Sequence, residues 1–170
     1  NGAFSPDFQR FYFVKCEKES GLFKKGIETC KLYVSKKIYG VWQAAEPMPE
    51  HVNVKNASIF SVTVGNESRR NDEVVYFVTD KLGGRGGLDI WYTIYDSKKE
   101  IWTEPKNGGG RINSPGDEMT PHFDVTSRTL YYSSNGFPGF GGYDIYYSIG
   151  ELGKWTPAEN IGYPINSSYD

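Results

Sequence analysis

The sequence predicts an all-β protein built from three similar antiparallel sheets, and three observations carry that prediction. Residues 131–149, YYSSNGFPGFGGYDIYYSI, repeat residues 76–94, YFVTDKLGGRGGLDIWYTI, without a gap at an offset of 55. A Tyr, three Gly, an Asp, an Ile, a second Tyr and a second Ile recur in place. A repeat of this length sets the architecture before any local assignment. Second, a Trp is followed eleven residues later by an Asn three times: Trp42 and Asn53, Trp102 and Asn113, Trp155 and Asn166. Third, thirteen Tyr, ten Phe and four Trp accompany twenty Gly and nine Pro, the composition of short strands and frequent turns. The apolar residues alternate or run in short β-branched and aromatic stretches, with no long helical period.

The first repeat opens with AFSPDFQRFYFV, residues 3–14. A strand at 4–5, a turn at Pro6-Asp7-Phe8-Gln9 and a strand over 10–14 are expected, since Pro presets the turn φ and Asp bonds its own backbone. Phe4 stands eight residues before Tyr12, as Phe123 stands eight before Tyr131. Residues 15–29, KCEKESGLFKKGIET, read as a charged insertion where the later repeats have their Gly-rich hairpin loop. CKLYVS, residues 30–35, then matches LDIWYT, 88–93, and YDIYYS, 143–148. Cys16 thus falls at the end of the strand before the loop and Cys30 at the start of the strand after it. Residues flanking a hairpin loop can face each other, which predicts a Cys16–Cys30 disulfide; two buried free thiols are the alternative. Closing a loop of about 15 residues would add roughly 3 kcal/mol on the chain-entropy account. The bond would indicate an oxidising compartment.

Each Trp should open a fourth strand and pack on the sheet face, and each Asn should cap backbone in the turn that follows. The second repeat starts near Ala57 with ASIFSVTV, then a polar loop, GNESRRND, then EVVYFVTD. Four short strands per repeat make blades of antiparallel sheet, which stack face to face around an axis as a β-propeller. The blades are expected at about 3–53, 57–113 and 119–166. Three blades fall short of the four to eight of a closed propeller. The chain is therefore expected to form part of a larger ring, completed by further blades of the same protein or by a second copy. An open arc would leave two aromatic faces wet.

A formal net charge of −2 gives no footprint for nucleic acid. No apolar run approaches the roughly 20 residues that span a bilayer, so direct membrane insertion is not expected. Two Cys and two scattered His, His51 and His122, lack metal-ligand spacing, and no metal or other cofactor is implied.

The motifs support a family resemblance. Phe4-Ser5-Pro6-Asp7 followed by Phe11-Tyr12-Phe13 resembles the WD40-like Pro-Asp repeat of TolB-type propellers. Residues 131–135 (YYSSN) and 139–147 (GFGGYDIYY), then Trp155, Asn160-Ile161-Gly162 and Pro164-Ile165-Asn166, resemble a narrower subset. That subset occurs in Gram-negative envelope proteins, often beside an OmpA-like peptidoglycan-binding domain, and includes a component of type IX secretion. The resemblance covers nearly the whole chain. Repeat one departs from it at Lys31, which replaces the Asp, and at the insertion. The resemblance implies a periplasmic, outer-membrane-associated protein with envelope proteins as partners. The OmpA-like domain is not in this sequence, so peptidoglycan binding is not assigned to it.

Asp89 and Asp144 stand in matching places before the third strand. Blade geometry would separate them, so they are expected to accept backbone N–H groups of the Gly loops rather than act as an acid pair. Those loops lack the Lys-Ser/Thr of a phosphate-binding loop and lie between antiparallel strands; tight turns are the expected role. The loops between second and third strands and the blade-to-blade connections should share one face. That face would carry Arg85, Phe137, Phe140, Arg111, Asp117, Glu118 and His51. Exposed aromatics beside Arg have the composition of an interaction hot spot, so this face is expected to dock a protein or a glycan, unless the aromatics only pack the loops. His122, on an innermost strand, is a candidate channel residue. No GxSxG, HExxH or paired-His motif is present. The expected function is a non-catalytic interaction scaffold. The alternatives are a carbohydrate-binding module and a fragment of a propeller hydrolase or lyase.

Overall fold

The computed structural model describes residues 1–21 and 24–168, with nothing said of the side chains of 19–28. Among the described residues the strands form three antiparallel sheets in chain order. Sheet 1 contains β1 (Gly2–Phe4), β2 (Arg10–Gly21), β3 (Lys24–Ile38), β4 (Val41–Trp42) and β5 (Glu46–Pro47). Sheet 2 contains β6 (Ile59–Asn66), β7 (Glu73–Thr79), β8 (Asp89–Asp96), β9 (Ile101–Trp102) and β10 (Lys106–Asn107). Sheet 3 contains β11 (Glu118–Asp124), β12 (Thr129–Ser134), β13 (Asp144–Glu151), β14 (Lys154–Trp155) and β15 (Glu159–Asn160). In each sheet the last two pieces pair with the same third strand, β4 and β5 with β3, β9 and β10 with β8, β14 and β15 with β13. They are two halves of one fourth strand, interrupted where the chain bows away. Each sheet is therefore four-stranded, and each Trp opens its fourth strand as expected.

The insertion in repeat one is not a loop. The β2–β3 ladder runs on through it, with Cys16 opposite Cys30 and pairing continuing to Gly21 and Lys24. The two cysteines therefore sit within paired strands rather than at strand ends. Their Sγ atoms are bonded, and the free-thiol alternative falls. Such a bond is consistent with an extracytoplasmic location. No helix among the described residues is long and apolar enough to cross a membrane.

Side-chain alternation gives every strand two faces, and the sheets stack by them. One face of sheet 1 (Tyr12, Leu32, Val34) buries itself on Ile59, Val62, Val64, Val75, Phe77 and Trp91 of sheet 2. The opposite face of sheet 2 (Val74, Tyr76, Val78, Ile90, Tyr92) buries itself on Phe123, Leu130, Tyr132, Tyr146 and Trp155 of sheet 3. The Trp residues reach further than their own sheet. Trp102 meets Tyr12 of sheet 1 edge-on at 6.0 Å, and Trp155 meets Tyr76 of sheet 2 at 5.8 Å. The first strands adjoin as well, β6 touching β1 on one side and β11 on the other.

Polar ties cross the same junctions. Arg10 Nε lies 3.0 Å from both carboxylate oxygens of Glu73, and the Tyr12 hydroxyl donates to Glu73. Burial and the Glu73 charge push the Tyr12 hydroxyl well above the usual phenol range. Between sheets 2 and 3, Arg128 pairs with Glu151, which also accepts the Ser68 N–H at 2.9 Å.

Candidate functional site

The best-built surface is the end of the stack where the second-to-third-strand loops and the sheet-to-sheet connection meet. Each Gly loop is closed by the first residue of the strand that follows it. Asp89 Oδ2 accepts the N–H of Arg85 at 2.6 Å and of Gly86 at 3.4 Å. Asp144 Oδ2 accepts the N–H of Phe140 at 2.5 Å and of Gly141 at 3.3 Å. This is the structural role the repeat predicts for both. It also explains the glycine one residue before Arg85 and Phe140: a β-carbon on Gly84 or Gly139 would collide with the carboxylate.

The three repeated Asn side chains share a second device. Asn113 Oδ1 accepts the Ile90 N–H and its Nδ2 donates to the Ile90 carbonyl, both at 2.9 Å. Asn53 does the same to Leu32, and Asn166 to Ile145. Each amide supplies the acceptor for a third-strand N–H beyond the end of the fourth strand, and shares the same residue's carbonyl with the backbone N–H of Met48, Gly108 or Ile161.

The connection between sheets 2 and 3 then joins both Gly loops. Asp117 Oδ1 accepts the Leu88 N–H at 2.8 Å, and the Asp117 N–H donates to Asn135 Oδ1 at 2.7 Å. The Gly87 N–H reaches the Gly116 carbonyl at 3.2 Å. The Tyr143 hydroxyl donates to Asp117 Oδ2 at 3.3 Å. The Arg85 guanidinium lies over Gly110, where a β-carbon would come within 2.8 Å of its Cζ. Exposed side chains crown this junction: Leu82 at 93%, Phe140 at 55% and Tyr143 at 42%, with Arg85 beside them.

Two expected members of this face, Phe137 and Glu118, are not exposed on it. Phe137 is half-buried and packs on Tyr146 at 5.4 Å, because the Tyr146 hydroxyl pins the loop through the Phe137 and Pro138 carbonyls at 3.2 and 2.9 Å. It is a loop-packing residue. Glu118 is fully buried. It accepts the Ser114 N–H at 3.0 Å and the Ser114 and Ser134 hydroxyls at 2.5 and 2.7 Å. His51 Nε2 donates to the Trp102 carbonyl at 3.1 Å, tying the first connection to the outer strand of sheet 2. Arg111 stands in the matching turn of the next connection, exposed, and its carbonyl accepts the Ala158 N–H at 3.1 Å. His122 is exposed on β11, opposite Tyr131, and is not a core residue. Leu82 and Tyr143 were missed as surface residues. Leu82 aligns with Phe137, and that equivalence was the available signal.

Burial holds the Glu118 carboxyl above the ordinary Glu range, and the Asp89 charge adds to the rise. The fold thus favours its neutral form. That contribution to stability is complete below the ordinary Glu pKa and is lost as pH climbs through the raised folded value. From the ordinary Glu range, about pH 4.3, upward through the raised folded value, the wild type is expected to lose stability relative to Glu118→Gln, whose side chain stays neutral. Urea midpoints of the two proteins measured across that range check it; parallel pH profiles would reject it.

Among the described residues no group of three or more His, Cys, Asp or Glu side chains is arranged to hold a metal ion. Fold and surface together define an all-β protein of three four-stranded antiparallel sheets with one structured loop end. No family profile matches the chain, and no curated protein matches it in sequence. Among solved structures it is similar to a protein of unknown function from Dyadobacter fermentans, with a TM-score of 0.52 and 14% identity. The match covers 94% of this chain and 40% of that one. It supports the fold.

Proposed function

We propose that the three sheets are consecutive blades of a β-propeller, and that the chain is a non-catalytic interaction scaffold of the bacterial cell envelope. The observation that carries this reading is the loop junction. Its backbone is held by Asp89, Asp144, Asp117 and Asn135, while Leu82, Arg85, Phe140 and Tyr143 project from it. A rigid base under exposed apolar and Arg side chains lowers the entropy that docking costs and has hot-spot composition. The disulfide and the family resemblance support the periplasm, at the outer membrane, as the setting. The resemblance also supports a place in a secretion or peptidoglycan-associated assembly.

A protein partner fits better than a glycan. A sugar-binding platform repeated with the fold would put aromatics at equivalent loop positions. Here Phe140 is matched by Arg85, and Tyr143 by Leu88. The test is site-specific photo-crosslinking from position 82 in envelope preparations, comparing wild type with Arg85→Glu/Phe140→Ser. A discrete protein adduct lost by at least tenfold in the double variant, with its circular dichroism unchanged, is expected. An adduct that survives the double substitution would remove the reading.

A further inference from the structure

The end of the stack opposite the Gly loops sorts its charges. Three turns of sheets 2 and 3 meet there: residues 66–72 between β6 and β7, 96–100 between β8 and β9, and 151–154 between β13 and β14. They are tied to one another. The Ser97 hydroxyl donates to Asp72 Oδ1 at 2.6 Å, and the Ser68 N–H donates to Glu151 Oε2 at 2.9 Å. Lys154 stands directly opposite Glu151 in the β13–β14 register. The cluster lies at strand ends rather than on a sheet face, so it owes nothing to which sheets come first and last.

The carboxylates of these turns point inward. Glu67, buried, accepts the Arg69 N–H at 3.0 Å and the Arg70 N–H as well. Asp96, half-buried, accepts the N–H groups of Lys98 and Lys99 at 3.1 and 3.3 Å. Asp72, buried, takes the Ser97 hydroxyl and the Arg70 guanidinium, and Glu151 takes Ser68 and Arg128. Only Glu100 of their acids is exposed. The cations have the opposite placement. Arg69, Arg70, Lys98, Lys99 and Lys154 are all exposed. Among the described residues, Arg70 alone of the five pairs with a carboxylate, that of Asp72. The inward charge is matched by backbone N–H dipoles, while the outward charge meets solvent.

These turns also lack the anchors of a protein interface. Their one apolar side chain, Leu152, packs into the core between sheets 2 and 3. No aromatic residue lies in 66–72, 96–100 or 151–154. Protein hot spots form around aromatic and other buried anchors. Separate cations on rigid turns, with no apolar side chain beside them, suit a surface of many anions. We infer that this end adsorbs to the phosphate headgroups of an anionic lipid surface. The contact is electrostatic, with no segment inserted, and it leaves the Gly-loop end facing away from the lipid. It rests on the turns and is independent of the loop-end proposal.

Co-sedimentation with vesicles of phosphatidylcholine, with and without phosphatidylglycerol, tests it. At low ionic strength binding is expected only to the phosphatidylglycerol vesicles. It is expected to vanish in 1 M salt, where the Debye length falls to about 3 Å. Each cation near such a surface is worth about a fivefold change in affinity. Arg69→Glu/Lys98→Glu alters two exposed side chains and is expected to weaken binding by about 25-fold or more, with circular dichroism unchanged. Lys55→Glu/Lys106→Glu makes the same change in net charge away from the three turns. At about 0.1 M salt, where charges act over about 10 Å, it is expected to bind as the wild type does. No binding to phosphatidylglycerol vesicles would overturn the inference, as would equal binding to both vesicle types or equal loss in the two double variants. Capture of polyglutamate but not of vesicles would also overturn it, in favour of an acidic protein.

Discussion

Tyr76→Ala is expected to cost about 3–5 kcal/mol, the range for deleting a large buried aromatic side chain. Tyr76 is 1% exposed at the centre of the junction between sheets 2 and 3. Its ring meets Phe123 at 5.2 Å, Trp155 at 5.8 Å and Tyr92 at 6.1 Å. Its hydroxyl accepts the Leu152 N–H at 3.2 Å. No neighbour can collapse into the space, because the ring is clamped between two sheets whose own ladders are fixed. Stacked repeats gain stability from each nearest-neighbour interface, so the loss should fall on the coupling of sheet 3 to the rest. The expected result is a melting temperature lower by about 10 °C or more. Amide exchange should quicken in β11–β13 before β2 and β3. Tyr76→Phe should keep most of the stability, losing only the acceptor for Leu152. Equal loss of protection in all three sheets would mean that the junction is not a separable unit.

The second large effect is expected from Asn113→Ala. The Asn113 side chain is 1% exposed, and its loss strands the N–H of Ile90 in a dry interior, while the Ile90 carbonyl keeps the Gly108 N–H at 2.9 Å. An unsatisfied buried polar group costs roughly 1–3 kcal/mol, so stranding this N–H and removing one of the carbonyl's two donors should cost about 2–3 kcal/mol. Asn113→Asp tests the mechanism. It keeps the acceptor for the Ile90 N–H but sets a carboxylate oxygen against the Ile90 carbonyl and against Asn107 Oδ1, which lies 2.9 Å from Nδ2. It is therefore expected to be no better than Ala. Denaturant unfolding of the three proteins reads the order; an Asp variant as stable as wild type would refute the two-bond account.

Much of this was legible from residues. The 55-residue offset, the Trp–Asn interval and the paired aspartates located twelve strand segments, the loop-closing carboxylates and the Asn clamps, because backbone geometry demanded the same side chain each time. The cysteine pair was legible because hairpin register puts flanking residues opposite one another. The strand character of the insertion is not legible: Lys15, Glu17 and Lys18 do not look like a half-buried strand, yet they are exposed and still pair across the β2–β3 ladder. The loop face was legible only in part. Sequence distance gives Phe137 and Phe140 the same standing, while the hydroxyl of Tyr146, nine residues beyond Phe137, draws one inward and leaves the other out. Glu118 looked like a surface charge because its serine partners lie four residues before it and sixteen after it. Which sheet faces are covered cannot be read from alternation at all, since covered and uncovered faces are equally apolar.

The covalent link across β2 and β3 also makes the first hairpin a tolerant place for change in chain length. Below Cys16 and Cys30 the strands belong to the packed stack; just above them Glu17 and Lys18 are exposed while the ladder continues. The bond fixes the distance between the two strands at the boundary. Sequence beyond it can lengthen, shorten or be exchanged for another peptide at a closure cost that grows only logarithmically with length, while the register of Tyr12 with Val34 below it is unchanged. The molecule thus carries a stapled grafting port, from which a foreign epitope or reporter could be displayed without renegotiating the core.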